Sequence, residues 1–358
     1  MKRYFREMIV TLVFSLIILG VTGTTIVKKT IGLFTPKGEV SDVNKGHELE
    51  KEKNSEESSN KVSDLVNDFT SDLAGKEEGA KAATKISKAA SMGISIESTQ
   101  VLLGKEDWLF YKATDDGDPI SDYQGINHYS DEQMASTASK LEQYKQLFNS
   151  YGKEFYIMSI PNKSNVYPEY MPDSIERSDT TTKTDLFMEY LQNNTDLGVI
   201  NCKQDLINAK NKYQVYYSTD THFNEIGAFV ATQTVLSTLT GQKDSLDKVK
   251  FNVINENYSG DLAALCEMQD IFNEDTQYQI DTSTIDTTKK SDKRILIIGD
   301  SFADVLQPVL SNYFADVQTV GVWSYHMYDL DSYAPDIVIW ENAERYTDRF
   351  DWINITKG

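Results

Sequence analysis

The stretch "RILIIGDSFADVLQPVLSNYF", residues 294–314, passes from a short apolar run through a glycine into a helical pattern that contains Pro308. Apolar runs of this length are typical of strands buried on both faces of a parallel sheet. In such sheets the reactive groups lie at the carboxyl ends of the strands. The stretch therefore predicts a strand, a turn at Asp300 and Ser301, and a helix that Pro308 kinks or interrupts.

Two interpretations of Ser301 follow from this stretch alone. A serine before a helix is a common N-cap, whose hydroxyl accepts a hydrogen bond from the first turn. A serine on a strand-to-helix turn is also well exposed, and the free N–H groups of the turn can bind an oxyanion that forms beside it. A serine hydroxyl becomes a nucleophile only when a base takes its proton, so the choice depends on a histidine elsewhere in the chain.

The other apolar runs alternate with helical patterns, as in an α/β fold with a mainly parallel sheet covered on both faces. The predicted strands are "WLFY" (108–111), "EFYIMSI" (154–160), "GVIN" (198–201), "DVQTVGV" (316–322) and "PDIVIW" (335–340). The predicted helices cover residues 130–151, 183–193 and 224–240. Ser130 and Asn224 are expected to cap two of these helices, and Gly152 and Gly241 are expected to end them.

One of the four histidines lies in "YYSTDTHFNEIGAF", residues 216–229. Asp220 and His222 are two residues apart, so in an extended segment their side chains point the same way. Asp220 would then bind one imidazole nitrogen while the other nitrogen faces a serine. A loop in which both side chains merely satisfy backbone groups is the alternative. A metal site is a third, weaker interpretation, because no further histidine lies nearby.

Composition excludes some classes of partner. The chain has 358 residues, a formal net charge of −20 and 55 acidic residues against 35 basic ones. Such an excess of negative charge argues against binding to nucleic acid or to anionic lipid headgroups. Cys202 and Cys266 are the only cysteines, and two isolated, buried thiols are a simpler interpretation than a disulfide.

The N-terminal sequence predicts a three-part organisation. Residues 1–35 contain a basic start and a long uncharged apolar stretch, which indicates a signal anchor with the rest of the chain exported. A cleaved signal peptide is the alternative. Residues 36–93 form a polar linker that ends in a partly helical stalk, and residues 94–358 form the folded body. The predicted location is the cell membrane, with a single span and an extracytoplasmic body.

Six blocks of the body, in order between about residues 100 and 348, resemble a known family. "GDSF" after an apolar strand is similar to the nucleophile block of SGNH hydrolases, and "DTHFNEIG" resembles the Asp-x-His block of their alginate O-acetyltransferase-like branch. The other four similar blocks are "LLGKEDWLFY", "YIMSIPNKSNVYPEYMP", "YSGDLAALC" and "PDIVIWENAER". The resemblance implies a three-layer SGNH-like α/β fold.

The resemblance also implies roles for individual residues. Ser301 would be the nucleophile, His222 the general base and Asp220 its orienting partner. Phe223 stands where family members often have tryptophan, which affects packing rather than chemistry. The residues expected to support the oxyanion are Asp300, Phe302 and Asn224. Lys163, Tyr167 and Trp108 are candidates for lining the acceptor groove, although an exposed lysine and a packed tyrosine explain Lys163 and Tyr167 equally well. Glu341 and Arg345, four residues apart, are expected to form an ion pair that holds the C-terminal segment.

The function implied by this resemblance is O-acetylation of a cell-surface or secreted polysaccharide through a serine acyl-enzyme. No cofactor or metal is implied. A multi-spanning membrane-bound O-acyltransferase would supply the acetyl group, and the N-terminal helix would keep the body at the membrane. Two alternatives stay open from sequence: a carbohydrate O-acetyl esterase with the same triad, and a non-catalytic scaffold of a polysaccharide-modification complex.

Overall fold

The structure is a computed structural model that describes residues 100–325 and 330–352. The predicted anchor (1–35), the predicted linker (36–93) and the first residues of the predicted body lie outside the described residues. Within the part that is described, no helix is long and apolar enough to cross a bilayer.

Nine strands and ten α-helices are assigned in the described residues. The strands are β1 (Val101–Leu103), β2 (Leu109–Tyr111), β3 (Glu154–Ile160), β4 (Gly198–Asn201), β5 (Phe251–Tyr258), β6 (Asp275–Ile280), β7 (Arg294–Gly299), β8 (Asp316–Gly321) and β9 (Ile337–Ala343). The helices are α1 (Pro119–Gln124), α2 (Asp131–Ser150), α3 (Lys163–Val166), α4 (Lys183–Asn194), α5 (Lys203–Lys210), α6 (Glu225–Thr240), α7 (Asp261–Leu265), α8 (Ser301–Leu310), α9 (Leu330–Tyr333) and α10 (Arg349–Trp352).

The central sheet has five strands in the order β4-β3-β9-β7-β8, and every neighbouring pair is parallel. The last strand of the chain order, β9, lies between β3 and β7. Two antiparallel ribbons, β1–β2 and β5–β6, are separate from this sheet. The predicted α/β fold with a mainly parallel central sheet is confirmed.

The two faces of the sheet carry separate apolar cores, so the body has three layers. Ile295 and Ile297 of β7 pack into one core with α6 and α8, whereas Leu296 and Ile298 pack into the other with α2 and α4. This alternation follows from the pleat of a strand, which turns successive side chains to opposite faces. Because both faces are covered, β7 reads as a continuous apolar run, and its carboxyl end is the point where polar residues begin.

The predicted helix ends agree with the structure. Ser130 forms a capping box with Gln133 at the start of α2. Asn224 accepts two backbone N–H groups at the start of α6, which ends at Gly241 in a left-handed conformation. Helix α8 runs through Pro308 and ends at Leu310, two residues later.

Both cysteines are buried and unpaired. Cys202 lies beside the sheet and Cys266 follows α7. Burial raises the pKa of each thiol, which leaves both groups neutral and poorly reactive. The structure therefore agrees with the interpretation of two isolated thiols.

Helix α6 packs closely against the segment that precedes it. A Cβ on Gly227 would overlap the carbonyl oxygen of Val215 and lie 2.6 Å from the Cβ of Phe223. Neither neighbour is the far end of a flexible side chain, so neither can move away at low cost. The absence of a side chain at Gly227 therefore fixes the distance between α6 and residues 215–223.

We expect Gly227→Ala to lower the free energy of unfolding by about 2–3 kcal/mol, because overpacked interiors relax only by shifting the backbone. Chemical denaturation of the purified protein measures this change. Gly241→Ala is the matched control: it meets nothing within 4 Å and has a φ of 71°, so it should cost only about 1 kcal/mol. Equal costs at the two positions would contradict the close packing at Gly227.

Candidate active site

Ser301 lies at the carboxyl end of β7, as the first residue of α8. The residue that caps this helix is Asp300, whose Oδ1 accepts a hydrogen bond of 2.9 Å from the N–H of Phe302. Its Oδ2 accepts the N–H of Ala343 at the end of β9, at 2.8 Å. Asp300, and not Ser301, is therefore the N-cap of α8. The hydroxyl of Ser301 is exposed and free for another partner.

That partner is His222. Its Nε2 lies 2.8 Å from the Oγ of Ser301, and its Nδ1 lies 2.7 Å from the Oδ1 of Asp220. An ionised carboxylate can only accept, so Nδ1 carries the proton and the neutral imidazole presents a free lone pair at Nε2. The Ser301 hydroxyl then donates to Nε2. Two segments that are 79 residues apart thus form one hydrogen-bond chain from Asp220 through His222 to Ser301.

Asp220 and His222 are brought together by a tight turn, not by the extended segment expected from sequence. The Oδ1 of Asp220 also accepts the backbone N–H of His222 at 2.9 Å, which is the hydrogen bond of an Asx-turn. The same carboxylate oxygen therefore holds both the backbone and the ring of His222. This double contact fixes the direction in which the imidazole points.

The second oxygen of Asp220 is equally occupied. Its Oδ2 accepts the hydroxyl of Tyr258 at 2.8 Å and the backbone N–H of Asp261 at 3.0 Å. Burial by itself raises the pKa of Asp220, but the hydrogen bonds from His222 and Tyr258 outweigh it and hold the pKa well below its usual range. Asp220 is therefore a carboxylate at every pH at which the protein is expected to work.

A second carboxylate lies close to the imidazole. The Oδ2 of Asp261 is 3.6 Å from Nδ1 of His222 and accepts the hydroxyl of Thr221 at 2.5 Å. Burial and the charge of Asp220 raise the pKa of Asp261. Among the described residues, Asp220, His222 and Asp261 are the group whose ligating atoms are near enough to hold a cation. A metal there would have to displace hydrogen bonds that already engage Asp220 and His222.

Two buried charges hold the loop that carries Asp220 and His222. The ammonium of Lys163 donates to the backbone carbonyls of Tyr217, Ser218 and Asp220, at 3.0, 2.9 and 2.7 Å. Burial lowers the pKa of Lys163 to about 8. The carboxylate of Asp275 accepts the backbone N–H groups of residues 218 and 219, both at 2.8 Å. The loop is thus held from both sides by charged side chains.

The three residues expected to line an acceptor groove lie in the interior. Lys163 is buried beneath the loop, and its ammonium lies over the rings of Trp108 and Phe110. Trp108 stacks on Tyr170 with ring centroids 4.4 Å apart. The hydroxyl of Tyr167 accepts the N–H of Val215. Lys163 and Tyr167 thus support the segment of residues 215–220 from below, and Trp108 is buried beside them.

The other supporting residues have structural partners. Asn224 is buried and caps α6 through the N–H groups of Ile226 and Gly227. The ring of Phe302 packs against the imidazole of His222, with centroids 4.7 Å apart. The N–H of Phe302, expected to bind an oxyanion, already donates to Asp300. Asn224 and Phe302 therefore position the histidine rather than the reacting oxygen.

The expected ion pair between Glu341 and Arg345 is absent from the described residues. Glu341 is fully buried, and its Oε2 accepts the N–H of Asp300 at 3.2 Å. Burial and the charge of Asp300 raise the pKa of Glu341 well above its usual value. The charge of Arg345 opposes this rise, but the two side chains are too far apart to form an ion pair.

A cavity of about 360 Å³ opens beside Ser301. Its lining includes Ser301, Asp304, Thr319, Trp323, Arg345, Tyr346 and Arg349. Trp323 is 62% exposed, and the guanidinium of Arg349 lies 5.5 Å from its ring. The cavity offers an exposed aromatic ring and cationic groups next to the exposed serine hydroxyl.

Sequence reasoning missed Tyr258, Asp261 and Asp275 as parts of the site. Tyr258 and Asp261 lie in the block "YSGDLAALC", which was noted only for its similarity. Tyr258 is the last residue of β5 and Asp261 the first of α7, and they lie 38 and 41 residues after Asp220 in the chain. No periodicity or spacing could have indicated them, although an acid and a tyrosine beside a glycine in a shared block were a usable signal.

Tyr258→Phe should weaken the hold on Asp220. The depressed pKa of Asp220 contributes stability that is complete above its unfolded pKa of about 4 and is lost as the pH falls through the folded value. Removing one donor raises the folded pKa, so the variant should be less stable by about 1 kcal/mol at neutral pH. Urea denaturation from neutral to acid pH should show this difference shrinking below about pH 4.

Tyr217→Phe is the matched control for this experiment. Tyr217 packs on Tyr258, with ring centroids 4.7 Å apart, but donates to Glu225. This variant should leave the acid dependence of stability due to Asp220 unchanged. A Tyr258→Phe deficit that does not vary with pH would show that the Tyr258 hydroxyl does not act on the Asp220 carboxylate.

Comparisons with known proteins agree with the sequence blocks. The family "SGNH hydrolase-like domain, acetyltransferase AlgX" matches residues 101–320. The chain is also similar to "Probable alginate O-acetylase AlgJ" from Pseudomonas syringae pv. tomato, at 24% identity over 179 residues. That match covers 48% of this chain and 42% of the relative, so the chain spans less than half the length of that protein.

Two solved structures are similar in fold. The O-acetyltransferase domain of Pseudomonas putida AlgJ is 20% identical, with a TM-score of 0.47 over 69% of this chain and 92% of that one. Bacillus cereus PatB1 with a sulfonyl adduct is 14% identical, with a TM-score of 0.48 over 70% of this chain and 96% of that one. Because the family match spans more than half of the sequence, the chain belongs to the SGNH hydrolase-like family of AlgX, in its AlgX/AlgJ-type branch.

Proposed function

We propose that this protein is an O-acetyltransferase that moves an acetyl group through Ser301 to hydroxyls of a cell-surface or secreted polysaccharide. The observation that carries the proposal is the hydrogen-bond chain from Asp220 through His222 to Ser301, with contacts of 2.7 and 2.8 Å. A serine with a base in contact and an orienting carboxylate behind it is the arrangement that activates a hydroxyl for acyl transfer.

In the first half-reaction, the Oγ of Ser301 attacks the carbonyl carbon of an acetyl donor while Nε2 of His222 takes the hydroxyl proton. Asp220 stabilises the imidazolium that results. The carbonyl oxygen becomes negatively charged in the tetrahedral intermediate. When the intermediate collapses, His222 returns the proton to the leaving group, and an acetyl ester remains on Ser301.

In the second half-reaction, a sugar hydroxyl takes the place of the leaving group. His222 removes its proton, the sugar oxygen attacks the acetyl carbon, and Ser301 leaves with the proton returned by His222. Water in the same position would give acetate, which is the esterase alternative. The two outcomes differ in how well the cavity holds a sugar and excludes water.

The nature of the acceptor is supported by two observations. The relative from Pseudomonas syringae is named as an alginate O-acetylase, which makes a polysaccharide the first class of acceptor to consider. Trp323 offers an exposed ring at the cavity beside Ser301, and sugars commonly stack on such rings. This side of Ser301, rather than the block around Lys163, is our candidate for the acceptor groove.

The donor and the location complete the proposal. The apolar stretch within residues 1–35 would anchor the chain with its body outside the cytoplasm, where no acetyl-coenzyme A is available. A multi-spanning membrane-bound O-acyltransferase would then pass acetyl groups across the membrane to Ser301. The anchor would keep the body close to that partner.

The proposal is tested by looking for acetyl-Ser301. The full-length protein is incubated with p-nitrophenyl acetate and its mass is measured by peptide mapping. We expect a mass increase of one acetyl group on Ser301, absent in Ser301→Ala and in His222→Ala. Ser311→Ala at the end of α8 is the matched control and should be acetylated like wild type, since its hydroxyl donates only to the carbonyl of Gln307.

Transfer is tested with the same donor and a panel of oligosaccharides. Acetylated sugar supports the transferase, whereas release of acetate alone across a broad panel would identify an esterase. In a deletion strain, Ser301→Ala should fail to restore acetylation of the polymer. Full restoration by that variant would refute catalysis at Ser301 and favour the scaffold role.

A further inference from the structure

The backbone N–H groups of the turn at Ser301 are mostly occupied. Phe302 donates to Oδ1 of Asp300 at 2.9 Å, and Ala303 donates to the carbonyl of Asp300 at 3.1 Å. Of the N–H groups of Ser301, Phe302 and Ala303, only that of Ser301 has no acceptor within the described part of the chain. The turn therefore offers an oxyanion only one of these three N–H donors, whereas enzymes that catalyse acyl transfer normally use more than one.

Besides the reacting Ser301, five side chains that line the cavity carry N–H or O–H donors: Thr319, Trp323, Arg345, Tyr346 and Arg349. Thr319 donates its hydroxyl to Asp304 at 2.9 Å. Tyr346 donates to Asp116 at 2.6 Å, and Arg349 forms an ion pair with the same carboxylate at 3.3 Å. Of these five side chains, Arg345 is the one that is buried.

Arg345 is a buried cation that forms no close ion pair within the described residues, although Tyr346, Asp300 and Asp116 raise its pKa. Its side chain is 7% exposed, and its Nε has no hydrogen-bond partner. Within residues 100–325 and 330–352 no carboxylate oxygen lies within 4.0 Å of its guanidinium; the nearer surroundings are rings, with Tyr346 at 4.5 Å, Tyr111 at 5.5 Å and Phe302 at 5.8 Å. Arginine stays charged when buried, and a buried charge with no ion pair at close range is costly.

The topology places this cation beside the reacting group. Ser301 follows β7 and Arg345 follows β9, and these two strands are neighbours in the parallel sheet. Their carboxyl ends therefore meet at the same edge, and both residues line the same cavity. The ring of Phe302, the residue after Ser301, lies 4.7 Å from the imidazole of His222 and 5.8 Å from the guanidinium of Arg345.

We propose that Arg345 is a catalytic residue that stabilises the negative charge on the acyl oxygen of the tetrahedral intermediate. The inference rests on the acylation of Ser301 proposed above. As the Oγ of Ser301 bonds to the acyl carbon, the carbonyl π pair moves onto the acyl oxygen and the hydroxyl proton moves to His222. The guanidinium and the N–H of Ser301 bind that oxyanion, and it becomes a carbonyl again when the leaving group departs.

The test compares acylation rates of the full-length protein and its variants with p-nitrophenyl acetate, followed by the first release of p-nitrophenolate. Arg345→Met should slow acylation by about 100-fold or more, because the loss of one oxyanion donor has effects of that size. Arg345→Lys, which keeps the charge, should recover part of the rate. Arg345→Gln supplies a neutral variant with a polar side chain if the methionine variant does not fold.

Arg294→Met is the matched control. Arg294 begins β7, at the opposite end of the strand from Ser301, and its guanidinium lies 4.5 Å from the ring of Tyr333. It resembles Arg345 in residue type and in stacking on an aromatic ring. Acylation should proceed in this variant at the wild-type rate, which separates loss of a cation at the cavity from loss of an aromatic contact.

A second measurement tests whether Arg345 binds a negative charge at Ser301. Methylboronic acid bonds to the Oγ of Ser301 while the hydroxyl proton moves to His222, which gives a tetrahedral boronate with one negative charge. Its inhibition constant should rise about tenfold or more in Arg345→Met or Arg345→Gln, the size expected for a lost hydrogen bond to a charged group. A purely structural role for Arg345 predicts no such selective loss in a variant with wild-type thermal stability.

Several results would overturn the proposal. Wild-type acylation and boronate affinity in the neutral variants would exclude a catalytic role for Arg345. Normal acylation with loss of transfer only to acidic sugars would show instead that Arg345 binds an acceptor carboxylate. If the wild-type protein itself forms no acetyl-Ser301, the proposed function fails; if it forms the ester and the neutral variants form it equally fast, only the inference about Arg345 fails.

Discussion

The carboxylate of Asp220 accepts four hydrogen bonds, and the arrangement of the site depends on them. Two come from its own turn, through the backbone and the ring of His222, and two come from the segment that links β5 to α7, through Tyr258 and Asp261. Each donor removes a direction in which the carboxylate could rotate. Because Asp220 is fixed in this way, the imidazole can point at only one place, and β7 delivers the serine there.

The loop around Asp220 has little regular structure, yet its backbone is well satisfied. Lys163 takes carbonyl oxygens and Asp275 takes N–H groups, so each buried charge binds the end of the peptide dipole that it attracts. Loops normally satisfy these groups with water and remain mobile as a result. Here charged side chains replace water, which gives an irregular segment the rigidity that a base in contact with a nucleophile requires.

Much of the fold was accessible from sequence because its signals are local. Short apolar runs, caps such as Ser130 and Asn224, and the run ending at Gly299 predicted the five strands of the central sheet and the helices α2, α4, α6 and α8, but not the β5–β6 ribbon. The pairing of Ser301 with His222 came from shared blocks. The surroundings of Lys163 and Arg345 could not be derived from sequence because they depend on distant chain segments. Lys163 binds backbone carbonyls of residues 217–220, and Arg345 forms no ion pair with Glu341.

The capping of α8 by Asp300 has an evolutionary consequence. Since Asp300 and not Ser301 satisfies the first turn, the helix does not depend on the reactive hydroxyl for its stability. Stability of the helix and the proposed reactivity therefore depend on different side chains, Asp300 and Ser301, at adjacent positions. A descendant of this sequence can lose its nucleophile by a single substitution and keep an intact body, so selection on activity alone maintains Ser301, and inactive relatives with this architecture can persist wherever the folded body retains another use.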